Sequence, residues 1–289
     1  IHVVYMQNSG LGNSINPLVS LADSEVYSIP MLLIIGWRGE IIEDLTQLKD
    51  EPQHAKQGKI TLPLLDTMNI SYTVIDKSSD YADIIEKSLK NSRKFSKPVA
   101  IVVRKNTFSE YIPNEQSTLK HITQPCHFKR EDVIESVIKI VGTDFPIVST
   151  TGMASRELYE LREMYNQHHG SDFLTVGGMG HASQIASGVA LARSDTKVFC
   201  LDGDGAFLMH SGANALASDC SNLIHILINN EAHDSVGGQP TKGSSLKFTD
   251  IAQSIGYSYS YHATSLEHFS HLIQSALELD GSVFIEIKC

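Results

Sequence analysis

An acidic residue between two glycines follows one apolar run of this chain, and two asparagines end another. Asp204 comes two residues after the run 197–202; Asn229 ends the run 222–229, and Asn230 follows it. Mg²⁺ prefers oxygen ligands in near-octahedral geometry and usually shares them with the phosphates of a bound ligand. We therefore predict that Asp204 and Asn230 hold Mg²⁺ together with a phosphorylated ligand.

The two runs have the character of strands in one β-α-β unit. Both are short and apolar, both are bounded by polar or glycine residues, and a helix-like segment lies between them. The carboxyl ends of adjacent parallel strands face one crevice, where open α/β sheets bind ligands. Gly203 and Gly205 would let the backbone approach a diphosphate closely. The alternative, an Asp-Gly turn and an unrelated strand end, explains each motif but not their pairing.

Strand-like and helix-like segments alternate along the chain in two blocks. The first block has predicted strands at 1–6, 31–36, 70–76 and 98–104, with helices near 14–23 and 80–93. The second has strands near 145–149, 172–176, 197–202, 222–229, 256–261 and 282–288, between helices near 129–141, 153–166, 181–193, 207–219, 248–255 and 265–279. Strict alternation predicts parallel sheets covered on both faces.

The fold class is therefore α/β, with two doubly wound parallel-sheet domains. We place them at residues 1–104 and 129–289, joined by a linker at 105–128 where prolines and mixed polar residues interrupt the pattern. Ile1 begins inside an apolar strand without an initiating Met. We therefore expect the first domain to be incomplete at its N-terminus.

The composition is that of an ordinary globular protein of 289 residues. A formal net charge of −10, with scattered basic residues, argues against a nucleic-acid partner. No apolar run approaches the roughly 20 residues of a membrane helix and no leader pattern is present, so we expect no membrane association and a cytoplasmic location. The cysteines Cys126, Cys200, Cys220 and Cys289 form no paired metal pattern.

Five longer stretches carry a family resemblance: residues 6–18 (MQNSGLGNSINPL), 35–40 (IGWRGE), 50–61 (DEPQHAKQGKIT), 149–188 (STTGMASREL to SQIASG) and 229–241 (NNEAHDSVGGQPT). On these motifs the chain resembles the thiamine-diphosphate-dependent decarboxylases. The last stretch resembles the branch of phosphonopyruvate and sulfopyruvate decarboxylases more than the pyruvate decarboxylases or acetolactate synthases.

The resemblance implies a reaction and its cofactors. These are the decarboxylation of 3-phosphonopyruvate, a small anionic 2-keto acid, to phosphonoacetaldehyde and carbon dioxide, with thiamine diphosphate and Mg²⁺. The alternative within the branch is sulfopyruvate. The two blocks would be the pyrimidine-binding and diphosphate-binding domains, and the active sites would lie between the subunits of a homo-oligomer.

The resemblance also implies a third metal ligand, the backbone carbonyl of Ala232, beside Asp204 and Asn230. Members of this branch tend to carry Gly where this chain has Glu231. Glu231 adds a negative charge next to the metal, and it puts the expected geometry of this loop in question.

Further cofactor contacts are expected at strand-to-helix turns, where backbone N–H groups can meet phosphate oxygens. In the family, a Met at the position of Met179 separates the two rings of the cofactor, and the carbonyl at Gly177 accepts its amino group. The alternatives are a core Met in a tight turn, and a His181 that only caps its helix. The candidate cofactor-binding residues are Thr151, Gly152, Gly177, Met179, Gly180, His181, Gly203, Asp204, Gly205 and Asn230.

Three residues are candidates for catalysis. Glu157 lies on the helix after the Thr151–Gly152 turn and is either a solvated carboxylate, a site acid or a support for a His or Arg. Asp202, at the mouth of a buried strand, is poorly solvated and needs a partner. His233 could supply a proton or bind substrate, since imidazole is a common acid–base group, with Asp234 orienting it.

Three residues of the first block are candidates for substrate binding. Arg38 can donate in bidentate geometry from a loop after a strand. His54 is a further candidate, and Asn8 opens a predicted loop at 8–13 that, by resemblance, faces a cofactor bound mainly by another subunit. Other candidate cations are Lys59, His181, His233 and Lys242.

One expected catalytic group is missing from the sequence. Family members carry a Glu in the pyrimidine domain that activates the cofactor, and no residue here matches it. We expect either a fragment of a longer chain or an impaired enzyme, so the alternative function is a silent cofactor-binding subunit. A nicotinamide-binding domain is excluded, because no G-x-G-x-x-G follows the first strand with an acidic residue about 20 positions later.

Overall fold

A computed structural model describes residues 1–42, 46–109 and 128–289 of the protein. The chain divides into two compact units, Ile1–Thr118 and Leu119–Cys289. The division falls inside the segment predicted as a linker, 105–128. Residues 110–127, including Cys126, lie outside the described residues, so the linker stays a prediction.

The first unit contains a four-stranded parallel sheet. Its strands are β1 (His2–Gln7), β2 (Met31–Gly36), β3 (Ser71–Ile75) and β4 (Val99–Val103), in the order β1-β2-β4-β3. All five residues of β4, Val-Ala-Ile-Val-Val, are buried, as expected for a central parallel strand covered on both faces. β1 lies at the edge of the sheet and is mostly exposed.

The helices of the first unit are α1 (Asn8–Pro17), α2 (Pro52–Thr67) and α3 (Tyr81–Phe95). The prediction of a loop at residues 8–13 was wrong, because these residues form the first part of α1. Leu11, Ile15 and Leu18 have helical spacing and pack in the apolar cluster on the sheet. This apolar spacing outweighs the helix-weakening effect of the two glycines of the segment.

The second unit contains a six-stranded parallel sheet. Its strands are β5 (Ile147–Ser149), β6 (Asp172–Leu174), β7 (Val198–Gly203), β8 (Leu223–Asn229), β11 (Tyr259–Ala263) and β12 (Val283–Lys288), in the order β11-β12-β8-β7-β5-β6. The predicted α/β class with parallel sheets is therefore confirmed. β6 and β7 lie on opposite sides of β5, and open α/β sheets bind ligands at the carboxyl ends of the strands where the order reverses in this way.

Seven helices of the described residues flank this sheet or follow its strands: α4 (Arg130–Val141), α5 (Met153–Met164), α6 (Ala182–Ala192), α7 (Asp204–Met209), α8 (Asn214–Ala217), α9 (Phe248–Ile255) and α10 (Leu266–Glu278). The predicted helix 207–219 is two short helices, and the first begins three residues earlier. Asp204 is therefore the first residue of α7, directly after the end of β7. A two-stranded antiparallel ribbon, β9 (Ala232–His233) with β10 (Gln239–Pro240), was not predicted.

The core of the second unit lies on both faces of its sheet. Phe199 and Leu201 of β7 pack on one face with α4 and α10, while Val198 and Cys200 pack on the other with α6. This alternation places Asp202 on the same face as Cys200. In the part of the chain that the structure describes, no helix is both long enough and apolar enough to span a bilayer.

Candidate functional site

Asp204 is a buried carboxylate at the carboxyl edge of the second sheet. β7 pairs with β8 so that Gly203 lies opposite Ile228, which brings Asp204 level with Asn229. The Asp204 side chain is almost fully buried at 1% exposure, and burial raises its pKa. The hydroxyl of Thr241 donates to Asp204 Oδ2, which partly offsets the effect of burial.

Gly243 packs against the side-chain oxygens of this part of the site. A Cβ built on Gly243 would lie 2.3 Å from Asn229 Oδ1, 2.5 Å from Asp204 Oδ2 and 3.0 Å from Thr241 Oγ1. The Gly243 N–H also donates to Thr241 Oγ1 at 2.9 Å. Side-chain oxygens therefore crowd a position that only glycine can occupy. Thr241 and Gly243 were not among the predicted site residues, although Thr241 ends a stretch that carried the family resemblance.

The two asparagines have different environments. Asn229 is fully buried, whereas Asn230 is partly exposed. Asn230 Nδ2 donates to Asp234 Oδ2 at 3.0 Å, and Asn230 Oδ1 accepts the Ala232 N–H at 3.4 Å. The predicted ligands Asn230 and Ala232 thus share one turn after β8, while the amide oxygen crowded beside Asp204 at Gly243 is that of Asn229.

Glu231 lies in this turn with a left-handed backbone, at φ +58°. This conformation favours glycine, which is the residue expected here from the resemblance. The Glu231 carboxylate accepts from Lys288 Nζ at 3.0 Å, and its side chain is 15% exposed. The turn therefore holds Glu231 in a conformation that favours glycine, and Lys288 balances the added charge.

A pair of substitutions at Glu231 separates the backbone effect from the ion pair. Both Glu231→Gly and Glu231→Ala remove the contact with Lys288, but only alanine keeps the left-handed penalty. We expect Glu231→Gly to be about 1 kcal/mol more stable than Glu231→Ala in urea unfolding. Equal stability of the two variants would contradict a strained turn.

The Gly-rich segment 177–180 packs against α7. Gly178 and Gly180 both have positive φ, at +66° and +85°. A Cβ on Gly180 would lie 2.7 Å from His210 Cδ2 and 3.0 Å from the Ala206 carbonyl oxygen. The rings of His181 and His210 stack with centroids 4.4 Å apart. His210, which the sequence analysis missed, thus joins two predicted parts of the site.

Met179, Gly205 and His233 meet at the start of α7. A Cβ on Gly205 would lie 2.5 Å from His233 Cε1 and 3.4 Å from Met179 Cε. The structure therefore brings together three predicted residues from the ends of three strands. Glycine at 205 leaves room for the imidazole beside Asp204.

Thr151 and Gly152 complete the cradle on the side of β5. Thr151 Oγ1 donates to the carbonyl oxygen of Val176 at 2.8 Å. Gly152 has φ +96°, and a Cβ there would lie 2.2 Å from Ser235 Oγ. The turn after β5 thus contacts both the segment after β6 and the loop after β8.

Glu157 pairs with an arginine that the sequence analysis did not select. Arg130 donates through Nε and Nη2 to the two carboxylate oxygens of Glu157, each at 2.8 Å, and through Nη1 to Asp234 at 2.9 Å. The hydrogen bond to Glu157 raises the pKa of Arg130 above its usual value. Of the roles considered for Glu157, the structure shows support of an arginine. Asp234 bonds to Arg130 and Asn230.

Asp202 faces the interior behind the strand end. It is 2% exposed, its Oδ1 accepts the Gly203 N–H at 2.9 Å, and its Oδ2 lies 3.4 Å from Nε2 of the buried His225. His225 Nδ1 lies 2.6 Å from the hydroxyl of Tyr257. Burial raises the pKa of Tyr257 well above its usual value. The partner that Asp202 was predicted to need is therefore His225.

Comparison with known proteins identifies the family. Residues 148–287 match the thiamine pyrophosphate enzymes, in their C-terminal TPP binding domain. Phosphonopyruvate decarboxylase from Streptomyces viridochromogenes is 33% identical over 294 residues, which cover 97% of this chain and 71% of that protein. The chain belongs to the phosphonopyruvate decarboxylase family. The family resemblance predicted from the motifs is therefore confirmed.

Two further relatives lie in the same branch of the thiamine pyrophosphate enzymes. Phosphonopyruvate decarboxylase from Streptomyces hygroscopicus is 32% identical, with 97% of this chain and 70% of that protein covered. Sulfopyruvate decarboxylase subunit beta from Methanothermobacter thermautotrophicus is 34% identical, with 53% of this chain and 80% of that protein covered.

The oxygen groups around Asp204 fit the Mg²⁺ that a thiamine pyrophosphate enzyme would hold. The side-chain hydrogen bond described for the buried Asp204 carboxylate comes from the neutral Thr241 hydroxyl, and a buried charge is costly without a charged or metal partner. The same residues contain no group of three or more His, Cys, Asp or Glu side chains suited to a metal. Mg²⁺ prefers oxygen ligands and usually shares them with phosphates, so the carboxylate of Asp204 and the amide oxygen of Asn230 are of a suitable type.

The three residues predicted to bind the substrate, which are Asn8, Arg38 and His54, lie together in the first unit. Asn8 Nδ2 donates to the Arg38 carbonyl oxygen at 2.9 Å, and the Arg38 N–H donates to Asn8 Oδ1 at 3.1 Å. Arg38 Nε donates to Asp50 Oδ2 at 2.8 Å, and this pairing holds the pKa of Asp50 well below its usual range. His54 is buried, with Nδ1 3.3 Å from Gln57 Oε1. Arg38 thus already has a carboxylate partner.

Proposed function

We propose that this chain catalyses the decarboxylation of 3-phosphonopyruvate to phosphonoacetaldehyde and carbon dioxide, with thiamine diphosphate and Mg²⁺ as cofactors. The observation that carries the proposal is the buried Asp204 carboxylate at the strand-end cradle. Similarity to phosphonopyruvate decarboxylases over 97% of the chain supports the choice of reaction. Thiamine diphosphate supplies the carbanion-stabilising chemistry that decarboxylation of a 2-keto acid needs.

The protein would contribute binding and orientation. Asp204, the Asn230 side chain and the Ala232 carbonyl would hold Mg²⁺. The remaining cofactor contacts would come from the turns around α7: Thr151, Gly152, Gly177, Met179, Gly180, His181, Gly203 and Gly205. Because Asp204 and Met179 both lie near Gly205, one bound molecule can meet the metal and the methionine together.

The proposed catalytic residues would act at different distances from the substrate. His233 lies beside Gly205 and Met179, so its imidazole is placed to exchange a proton or bind the substrate. Glu157 would act through Arg130, and Asp202 through the Gly203 N–H next to Asp204. Asn8, Arg38 and His54 would bind the substrate anion from the first unit of a second copy in a homo-oligomer. The cytoplasmic location stays a prediction.

Steady-state kinetics with two substrates test the reaction. With saturating thiamine diphosphate and Mg²⁺, we expect a higher kcat/KM for 3-phosphonopyruvate than for sulfopyruvate. The phosphonate carries more negative charge than the sulfonate, so cationic groups that bind the substrate would attract it more strongly. A higher kcat/KM for sulfopyruvate would contradict the proposed substrate and favour the one in the name of the relative from Methanothermobacter thermautotrophicus. Cofactor uptake without turnover of either substrate would instead favour a silent subunit.

A further inference from the structure

The side chain of Asn229 joins three separate elements of the second unit. Its Nδ2 donates to Glu286 Oε1 of β12 at 2.9 Å and to the Gly243 carbonyl oxygen at 3.1 Å. Its Oδ1 accepts the Glu231 N–H at 3.2 Å. Asn229 therefore links a central strand, the segment that covers Asp204, and the turn that follows β8.

These partners permit a single orientation of the Asn229 amide. Glu286 and the Gly243 carbonyl offer only oxygen acceptors, so they require the NH₂ group. The Glu231 backbone offers only a donor, so it requires the amide oxygen. A flipped amide would oppose oxygen to oxygen at two contacts and N–H to N–H at the third. All of these contacts are buried or partly buried, where an unmatched polar group is costly.

Glu286 is the charged member of this arrangement. It is 4% exposed, and it lies on β12, which pairs with β8 along its length. Among the described residues, Glu286 forms no ion pair with Lys or Arg; its second oxygen, Oε2, lies 3.5 Å from Nδ1 of His262. A hydrogen bond from an amide to a carboxylate is stronger than one between neutral groups. The contact with Glu286 is therefore the strongest constraint on the Asn229 side chain.

We propose that Glu286 is a positioning residue of the metal site, which orients Asn229 and through it the turn from Asn230 to Ala232. The Asn229 oxygen holds the N–H of Glu231, whose left-handed backbone sets the direction of that turn. The Asn229 NH₂ holds Gly243, and the Gly243 N–H fixes the Thr241 hydroxyl that donates to Asp204. Both halves of the site thus depend on one amide. The inference rests on the proposed function in one respect, because it assumes that this turn binds Mg²⁺.

The test measures Mg²⁺ binding by calorimetry at saturating thiamine diphosphate, and unfolding of the metal-free protein in parallel. Glu286→Leu removes the acceptor, and we expect Mg²⁺ to bind about 10- to 100-fold more weakly. Glu286→Gln keeps an oxygen acceptor for Asn229, so its Mg²⁺ affinity should lie close to that of the wild type. The control His262→Leu removes only the contact of the other Glu286 oxygen, and it should leave the affinity unchanged.

A double-mutant cycle with Asn229→Ala separates positioning from a general loss of stability. If Glu286 acts through Asn229, adding Glu286→Leu to Asn229→Ala should cause no further loss of Mg²⁺ affinity. Wild-type affinity in Glu286→Leu, or an additive double variant, would overturn the proposal. If Glu286→Leu does not fold, Asn229→Ala alone is measured, and we expect it to weaken Mg²⁺ binding by the same factor. Unchanged Mg²⁺ affinity in Asn229→Ala would then overturn the proposal. Failure of the wild type itself to bind Mg²⁺ and cofactor would instead reject the proposed function.

Discussion

Replacing Asp204 by asparagine is expected to abolish Mg²⁺-dependent binding of thiamine diphosphate. Asparagine has the same shape, and its amide oxygen can still accept the Thr241 hydroxyl that reaches Asp204 Oδ2. It lacks the negative charge of the buried carboxylate, and the Glu231 carboxylate in the neighbouring turn is already paired with Lys288. Groups that only support a metal ligand change affinity by about 10- to 100-fold, so loss of the charged ligand should exceed 100-fold.

Isothermal titration of thiamine diphosphate into the protein with Mg²⁺, and again with a chelator, measures this effect. The matched control is Asp195→Ala, which removes an exposed carboxylate of the same unit that pairs only with Arg193 among the described residues. The control should bind the cofactor as the wild type does. If Asp204→Asn still binds the cofactor in a Mg²⁺-dependent way, Asp204 is not a metal ligand. The proposed function would then lose its main support.

Replacing Arg162 by methionine is expected to destabilise the protein by about 3–5 kcal/mol, the usual cost of removing one partner of a buried ion pair. The side chains of Arg162 on α5 and Asp172 on β6 are both 0% exposed. Arg162 Nε and Nη2 each donate to one oxygen of Asp172 at 2.9 Å, and Nη1 donates to the Gly142 carbonyl oxygen at 2.6 Å. The substitution leaves the Asp172 carboxylate and that carbonyl buried without their partner.

Urea unfolding followed by circular dichroism measures the change in the free energy of unfolding. Arg193→Met serves as the control, because Arg193 is 56% exposed and pairs with an exposed aspartate, so its loss should cost less than about 1 kcal/mol. The double variant Arg162→Met with Asp172→Leu should recover part of the stability, since it removes the stranded charge. A loss no larger than that of Arg193→Met would show that the buried pair contributes little.

Local patterns predicted much of the fold. Apolar runs bounded by glycine and polar residues located the strands of both parallel sheets, because a strand buried on both faces must be apolar throughout. The same patterns failed where two local signals compete. The glycines near Asn8 suggested a loop, but Leu11 and Ile15 of α1 pack in the apolar cluster on the sheet, together with Leu18 just after the helix.

The sequence predicted which residues at the strand ends form the candidate site. Asp204, Met179, Gly205 and His233 do lie together, because parallel strands bring their carboxyl ends to one edge. The partners of these residues were not predicted. Arg130, at the start of α4, is 27 positions before Glu157 and 104 before Asp234, yet it bonds to both.

Local spacing and motifs were enough to predict the α/β class, the family, and the carboxylate and amide groups proposed to hold a metal. They did not predict which groups face each other, because that depends on the folded arrangement of the strands and turns. That arrangement placed Asn229 rather than Asn230 level with Asp204, gave Thr241 and Gly243 their role, and buried Glu286 against Asn229. The reason is physical: strand pairing and burial join residues far apart in the chain, and hydrogen-bond matching then allows one arrangement of their side chains.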